Sequence, residues 1–186
     1  MLKAKILVIG PTESGKSVLS NFLADATEIS GGEYHPTQGV RILEFESGAL
    51  NVGNRSLSAE VELWDCSGDQ KFDECWPAFM KDVSGVVIVY NPDQANHERE
   101  LDTWYTHFVT QQGLKDGQCV IMGHHRPNTS EAVRVQLPTK MSKVNHVQTN
   151  LEDDADSVRA DFNLFLSKVL AFISKRQDQE ELSIIQ

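Results

Sequence analysis

The stretch GPTESGKS, from Gly10 to Ser17, constrains the fold of this chain more than any other part of it. It follows the apolar run ILVIG and precedes the helical pattern KSVLSNFLAD, so it joins a buried strand to a helix. Gly-x-x-x-x-Gly-Lys-Ser between a strand and a helix is the P-loop pattern, whose backbone N–H groups and helix N-terminus surround phosphates. The sequence therefore predicts a nucleotide-binding loop formed by Gly10, Pro11, Thr12, Glu13, Ser14, Gly15, Lys16, Ser17 and Val18.

Three hydroxyl or carboxylate residues are candidates for a Mg²⁺ site next to this loop. The Ser17 hydroxyl follows the P-loop lysine, and Asp65 ends the strand AEVELWD, where an acid can hold the water shell of the ion. Thr37, in YHPTQG, offers a second hydroxyl, and Gly68 lets a backbone N–H approach the γ-phosphate. Read alone, the stretch PTQG is also compatible with an ordinary Pro-Thr turn, and the stretch DCSG with an ordinary Asp-Gly turn.

The order of strand and helix patterns predicts an α/β fold. Continuous apolar runs such as GVVIVYN and QCVIMG are typical of central parallel strands, and a helical pattern from about Gln94 to Gln111 links them. VRILEFE and AEVELWD alternate apolar with polar residues and flank a Gly- and Asn-rich stretch, so they predict an antiparallel edge pair. We expect a mostly parallel six-stranded sheet with helices on both faces over residues 1–175, and a charged, frayed tail over 176–186.

Charge and apolar patterning exclude several classes of partner. The chain has 17 basic and 27 acidic residues, a net charge of -10, which repels nucleic acid and anionic lipid surfaces. The longest apolar run is too short to span a bilayer, and neither end carries a recognisable lipidation motif. We therefore expect no nucleic-acid partner, no direct lipid anchor, and three free thiols in a reducing compartment, at Cys66, Cys75 and Cys119.

A P-loop, Pro-Thr-x-Gly and Asp-x-x-Gly in this order resemble the Ras-superfamily small GTPases. The stretches YHPTQGVRILEFE, VELWDCSGDQKFDECWPAFMKD and TNLEDD are similar to the Rab-like subunits of intraflagellar transport complex B, over nearly the whole chain. This resemblance implies a protein that binds GTP or GDP with Mg²⁺ and sits on a coiled-coil heterodimer of larger transport subunits. It also implies a role in cilium or flagellum assembly, in the cytoplasm, the cilium or flagellum and its basal body.

One departure from the superfamily pattern concerns hydrolysis. Small GTPases place a Gln that orients the attacking water directly after Asp-x-x-Gly, whereas this chain has Asp69. A carboxylate cannot donate a hydrogen bond to the γ-phosphate region and is repelled by it, and Gln70 lies one residue too far along to replace the missing group. We expect slow hydrolysis. The alternatives are a hydrolase completed by an activating partner and a scaffold with a structural nucleotide.

A second departure concerns the base. The superfamily reads guanine with the Asp of Asn-Lys-x-Asp, and this chain has the residues from His124 to Pro127 there. Losing two charged hydrogen bonds, at roughly 1.5 to 3 kcal/mol each, lowers affinity by about two to four decades unless other contacts compensate. His124 is a candidate for a hydrogen bond within the site and His125 for packing on the base, or the two form a polar loop pair. The resemblance also assigns backbone N–H groups to the base from Thr149, Asn150 and Leu151.

Two groups of aromatic residues have helical spacing. Phe72, Trp76, Phe79 and Met80 follow the Asp-x-x-Gly motif, and we expect them to pack against the sheet, with an exposed partner surface as the alternative. In the later helix we expect Trp104, Tyr105 and Phe108 to be mostly core residues, with Tyr105 the closest of the three to solvent.

Overall fold

A computed structural model describes residues 1–26, 36–127 and 135–185. The strands are β1 (Leu2–Ile9), β2 (Val40–Glu46), β3 (Leu50–Val52), β4 (Arg55–Leu57), β5 (Ala59–Cys66), β6 (Gly85–Tyr90), β7 (Cys119–His124) and β8 (Asn145–Thr149). The α-helices are α1 (Lys16–Leu23), α2 (Trp76–Met80), α3 (His97–Tyr105) and α4 (Ala155–Ile184). A 3₁₀ helix over Gln70–Cys75 precedes α2, and a π-helical turn over Thr106–Thr110 ends α3.

The main sheet has six strands in the order β2-β5-β1-β6-β7-β8. Its neighbouring strands are parallel except β2 and β5, which are antiparallel, with Arg41 opposite Asp65. The predicted fold class is therefore confirmed, including the antiparallel edge strand. The central strands β6 and β7 are buried at every position, as continuous apolar runs require, while β2 has only half-buried and exposed residues, as an edge strand does.

Two apolar clusters cover the two faces of the sheet. One face packs against α1 and α4, through residues such as Ile6, Val8, Phe162 and Leu166. The other face packs against α2 and α3, through residues such as Leu7, Ile88, Leu101 and Phe108. Because successive strand residues point to opposite faces, β1 contributes to both clusters and lies at the centre of the domain. The P-loop, which follows β1 directly, is therefore attached to an interior strand of the sheet.

Two local features differ from the sequence predictions. The stretch between β2 and β5 is not a plain turn, because β3 and β4 form a separate two-stranded antiparallel sheet within it. The third helix begins at His97, later than the pattern suggested, since the Asn91 side chain accepts a hydrogen bond from the Asp93 backbone and holds a turn there.

The C-terminal segment also differs from the prediction of a frayed tail. Helix α4 continues unbroken to Ile184, and its last turns carry an i,i+4 ion pair of 2.9 Å between Arg176 and Glu180. Asp178 lies 3.8 Å from Arg55 in β4, so the helix reaches back to the small hairpin. No helix in the three described ranges is long and apolar enough to cross a membrane.

The aromatic residues pack largely as predicted. The ring centroid of Trp76 lies 5.1 Å from those of Trp104 and Phe108, and Phe79 is buried in the same cluster. Tyr105 is buried in the same cluster and is 6% exposed, the same fraction as Trp104, so the core prediction is confirmed and Tyr105 is no closer to solvent than Trp104. Phe72 is half-buried, so the partner-surface alternative remains a prediction for that residue.

Candidate nucleotide site

The P-loop turns at Gly15, directly before helix α1. Gly15 has a φ of 96°, in the left-handed region, and a Cβ built there would lie 2.3 Å from the His124 ring. A side chain at this position is therefore excluded both by backbone conformation and by space. The loop between β1 and α1 is thus held against the end of β7, and the sequence pattern predicted the turn but not the ring that closes over it.

Lys16 is the buried cation of this loop. Its Nζ donates hydrogen bonds to the Pro11 carbonyl at 2.5 Å and to the Ser14 hydroxyl at 3.4 Å, and the residue is 6% exposed. Burial lowers the pKa of Lys16 to about 8, and the Asp65 carboxylate opposes that shift. A cation held this far from water interacts strongly with phosphate, because little solvent screens it.

The three predicted metal ligands lie together. Ser17 Oγ donates to Asp65 Oδ2 at 2.6 Å and lies 3.0 Å from Thr37 Oγ1, so the Thr37 hydroxyl donates to Ser17 in turn. Asp65 is fully buried, and in the described part of the chain its Oδ1 atom has no hydrogen-bond partner. Burial raises the pKa of Asp65, which the Ser17 hydrogen bond and the Arg41 charge oppose. This set of oxygen donors, with one carboxylate oxygen unused, fits Mg²⁺.

The loop after β5 packs directly on the P-loop. A Cβ built on Gly68 would lie 2.5 Å from three backbone atoms, in Gly10, Pro11 and Thr12. The backbone N–H of Ser67 donates to the Gly39 carbonyl at 2.8 Å. The segment after Thr37 and the Asp-x-x-Gly loop are therefore joined to each other and to the phosphate-binding loop.

Asp69 has a structural role that the sequence did not suggest. Its side chain accepts a hydrogen bond of 3.0 Å from the Lys71 backbone N–H and caps the 3₁₀ helix that follows. The Lys71 ammonium lies 3.4 Å away, and the backbone hydrogen bond from Lys71 lowers the pKa of Asp69. The carboxylate is thus ionised and used locally at the position where a water-orienting Gln is expected in the superfamily.

His124 lies at the opposite end of the site, where β7 ends. Its Nδ1 forms a hydrogen bond of 3.0 Å with the Thr149 hydroxyl, and 7% of the residue's surface is exposed. Burial, followed by the charges of His125 and Arg126, lowers the pKa of His124 to about 4. The imidazole is therefore neutral at pH 7 and offers one donor and one acceptor.

The remaining base-site candidates lie beside His124. The His125 backbone N–H donates to the Thr149 carbonyl at 2.8 Å, and its ring nitrogen pairs with Gln148 Oε1 at 2.7 Å. Asn150 Oδ1 accepts from the Glu152 backbone N–H at 3.1 Å, and Leu151 packs against the core under α4. Val18 lies on α1 with 48% of its surface exposed.

Sequence reasoning missed two arginines. Arg41 Nη2 donates to Asp65 Oδ2 at 3.2 Å, and the antiparallel register that places the two residues opposite each other was a usable signal. Arg126 Nη2 donates to the Glu13 carbonyl at 2.8 Å and joins the His124–Pro127 loop to the P-loop. Those residues are 113 positions apart, so no local pattern indicates the contact.

The P-loop, the adjoining oxygen ligands and the single antiparallel edge strand together define a Ras-like P-loop GTPase domain. The family model described as Roc, the Ras of Complex domain of DAPkinase, matches residues 5–126, more than half of the chain.

Comparison with full-length relatives shows which family within this class contains the chain. The intraflagellar transport protein 22 homologue of Danio rerio is 51% identical over 186 residues, which is 100% of both chains. The GDP-bound crystal structure of T. brucei IFT22 has a TM-score of 0.69 at 28% identity and covers 90% of this chain and 96% of its own. The GTP-bound T. brucei IFT22/74/81 structure has a TM-score of 0.67 at 31% identity, over 90% and 97% of the two chains. The chain belongs to the intraflagellar transport protein 22 family.

Proposed function

We propose that this protein is a GTP- and GDP-binding subunit of intraflagellar transport complex B, with slow turnover, that acts in cilium or flagellum assembly. The observation that carries the proposal is the convergence of Lys16, Ser17, Thr37 and Asp65 beside the P-loop. This arrangement supplies one buried cation for phosphate and three oxygen ligands for a hard divalent ion. T. brucei IFT22, a protein of the same family, has a GDP-bound and a GTP-bound crystal structure, which supports guanine nucleotides as the ligands.

Mg²⁺ bound between the phosphates and these oxygens would neutralise charge on the triphosphate. The residues that would hold it are Ser17 and Thr37, through their hydroxyls, and Asp65, through its carboxylate. In this proposal Lys16 would bind the outer phosphates, and the backbone N–H of Gly68 would donate to the γ-phosphate. Because Gly68 and Thr37 are connected through the Ser67–Gly39 hydrogen bond, a contact with the γ-phosphate at either residue affects both segments.

Base recognition in this proposal does not use a carboxylate from the loop after β7. Pro127 has no acceptor side chain, so the guanine edge is read by backbone N–H groups from Thr149 to Leu151 and by groups near His124. The His124 imidazole positions this end of the site by binding Thr149 and closing over Gly15. His125 is half-buried beside His124, and packing on the base is the role proposed for its ring.

Hydrolysis is slow in this proposal because Asp69 holds the helix cap instead of orienting water. Its ionised carboxylate is an acceptor, whereas the attacking water must be held close to a negatively charged γ-phosphate. A second candidate function is a GTPase completed by an activating partner. The exposed position of Gln70 at the start of the 3₁₀ helix favours it, since a partner that reorders this helix would move that side chain.

The partner in this proposal is a coiled-coil heterodimer of larger complex B subunits. The related T. brucei IFT22, which is 31% identical to this chain, has a GTP-bound crystal structure together with IFT74 and IFT81. The locations that we propose together with this partner are the cytoplasm, the cilium or flagellum and its basal body. Because the proposed attachment runs through protein partners, it requires neither a direct lipid anchor nor contact with nucleic acid.

The experiment that tests partner coupling is a binding titration of the partner pair against protein loaded with GTP or with GDP. Thr37→Ala is expected to weaken binding in the GTP state by roughly tenfold and to leave the GDP state unchanged, since Thr37 is the proposed sensor. Thr110→Ala, on the π-helical turn, is the control and is expected to bind as wild type. Equal binding of both nucleotide states by wild-type protein would instead indicate a scaffold whose nucleotide is structural.

A further inference from the structure

The guanidinium of Arg41 makes direct contact with the buried carboxylate of the magnesium site. Arg41 lies on β2, opposite Asp65 on β5, and the antiparallel register places both side chains on the same face. Its Nη2 donates to Asp65 Oδ2 at 3.2 Å and lies 3.5 Å from the Ser17 carbonyl. A positive charge therefore lies within reach of the same oxygens that are proposed to hold Mg²⁺.

A buried carboxylate needs a counter-charge, because an isolated charge in a protein interior is strongly disfavoured. Asp65 has no exposed surface. Lys16 is the other cation of this site, but its ammonium is directed to the Pro11 carbonyl and the Ser14 hydroxyl. Arg41 is thus the group that gives Asp65 a direct ionic hydrogen bond in the described part of the chain.

Arg41 differs from Asp65 in its access to water. The Arg41 side chain is 42% exposed, while that of Asp65 is 0% exposed. A guanidinium on a flexible stem at the surface moves into solvent at low cost, whereas the strand holds the carboxylate in place. The pair consequently combines a fixed anion with a cation that is free to leave when a stronger counter-ion arrives.

The geometry points to Arg41 as a built-in counter-cation of the magnesium site, which neutralises Asp65 in the absence of a divalent ion and is displaced when Mg²⁺ binds. This inference rests on the proposed nucleotide function and adds a property to it. With Arg41 present, a nucleotide meets a carboxylate whose charge is already compensated. Nucleotide affinity in this protein therefore depends less on Mg²⁺ than it does without the guanidinium.

The test is a titration of nucleotide-stripped protein with GDP, once in excess Mg²⁺ and once in EDTA. For wild type, Arg41→Gln and Arg55→Gln, the measured quantity is the ratio of the Kd in EDTA to the Kd in Mg²⁺. Arg41→Gln is expected to raise this ratio at least tenfold, because Asp65 then repels the phosphates unless Mg²⁺ is bound. Arg55→Gln removes the same charge from the β3–β4 hairpin and is expected to leave the ratio within twofold of wild type.

A charge-retaining variant and a second readout complete the test. Arg41→Lys is expected to keep the ratio within threefold of wild type, since it retains a cation. In stripped protein without Mg²⁺, Arg41→Gln is expected to lower the Tm, and adding Asp65→Asn is expected to restore it. An unchanged ratio in Arg41→Gln, with GDP binding intact in Mg²⁺, would overturn this inference alone. Failure of wild type to bind GDP even in Mg²⁺ would overturn the proposed function and this inference with it.

Discussion

The Nδ1 atom of His124 lies 3.0 Å from the Thr149 hydroxyl, and the edge of the same ring closes over Gly15. One neutral imidazole thus joins the ends of β7 and β8 to the start of α1. Since those ends carry the proposed base contacts and α1 carries proposed phosphate contacts, the account has His124 set the spacing between the two halves of the site. The account predicts that stability and nucleotide binding both respond to this residue.

The pH dependence of stability follows from the pKa of His124. That pKa is lowered from 6.5 to about 4 in the folded protein, so the unfolded chain binds more protons between these values. The contribution of His124 is fully present above pH 6.5 and is lost as the pH falls through about 4, by up to about 3 kcal/mol in total. Urea denaturation of nucleotide-stripped protein, repeated from pH 7.5 to pH 4, measures this loss as a fall in the free energy of unfolding.

His124→Asn is expected to show a shallower loss of unfolding free energy across that pH range than wild type. His107→Asn, in the π-helical turn, is the control for removing a histidine outside the site and is expected to follow the wild-type curve. Parallel curves for wild type and His124→Asn would contradict the account.

Lys16→Ala is expected to weaken GDP and GTP binding by about two decades or more, because it removes charged hydrogen bonds to the phosphates. The matched control is Lys3→Ala, since Lys3 is an exposed lysine of β1 paired with Glu60. Fluorescence titration in Mg²⁺ measures both variants. Nucleotide affinity that survives in Lys16→Ala would refute the P-loop assignment.

Gly68→Ala tests the contact between the Asp-x-x-Gly loop and the P-loop. The added Cβ meets backbone atoms of Gly10, Pro11 and Thr12, which cannot rotate away, so we expect a loss of roughly 1 to 3 kcal/mol of stability. Gly48→Ala is the control, because a Cβ there has no neighbour within 4 Å in the described structure, and its expected change is within about 0.5 kcal/mol. Thermal or urea denaturation compares them, and equal stabilities would show that the loop does not rest on the P-loop.

Asp69→Gln tests the proposal that Asp69 makes GTP hydrolysis slow. The amide can donate a hydrogen bond where the carboxylate cannot, so single-turnover GTP hydrolysis is expected to rise roughly tenfold. The substitution also removes the cap on the 3₁₀ helix, so a lower Tm than that of wild type is expected. Asp69→Asn removes the charge with a shorter side chain and is expected to raise the rate less than threefold. If Asp69→Gln hydrolyses GTP no faster than wild type, Asp69 is not the residue that limits hydrolysis.

The sequence predicted the features whose geometry is local. The P-loop residues have fixed spacing because the turn and the helix start are adjacent, and the strand patterns indicated which strands are central and which lie at the edge. The placement of Ser17, Thr37 and Asp65 together also followed from motif order. The helical continuation of α4 was missed because a charged composition was read as disorder, although the Arg176–Glu180 spacing favours a helix.

Contacts between distant segments lay beyond sequence reasoning. The Arg126–Glu13 hydrogen bond and the packing of His124 over Gly15 depend on how β7 and β1 lie in the sheet, which no local pattern encodes. Asp69 likewise has a capping role that depends on the 3₁₀ turn after it. Arg41 was the exception, since the antiparallel pairing was predicted and its register alone places Arg41 opposite Asp65.

Calorimetric titration of nucleotide-stripped protein with GTP, GDP and ATP in Mg²⁺ tests the central claim most directly. The account predicts micromolar binding of GTP and GDP and at least tenfold weaker binding of ATP, because the backbone N–H groups proposed to read the base would meet the O6 acceptor of guanine but the N6 amino donor of adenine. Equal binding of ATP and GTP, or no binding of either, would contradict it and would leave a P-loop fold that serves as a docking scaffold.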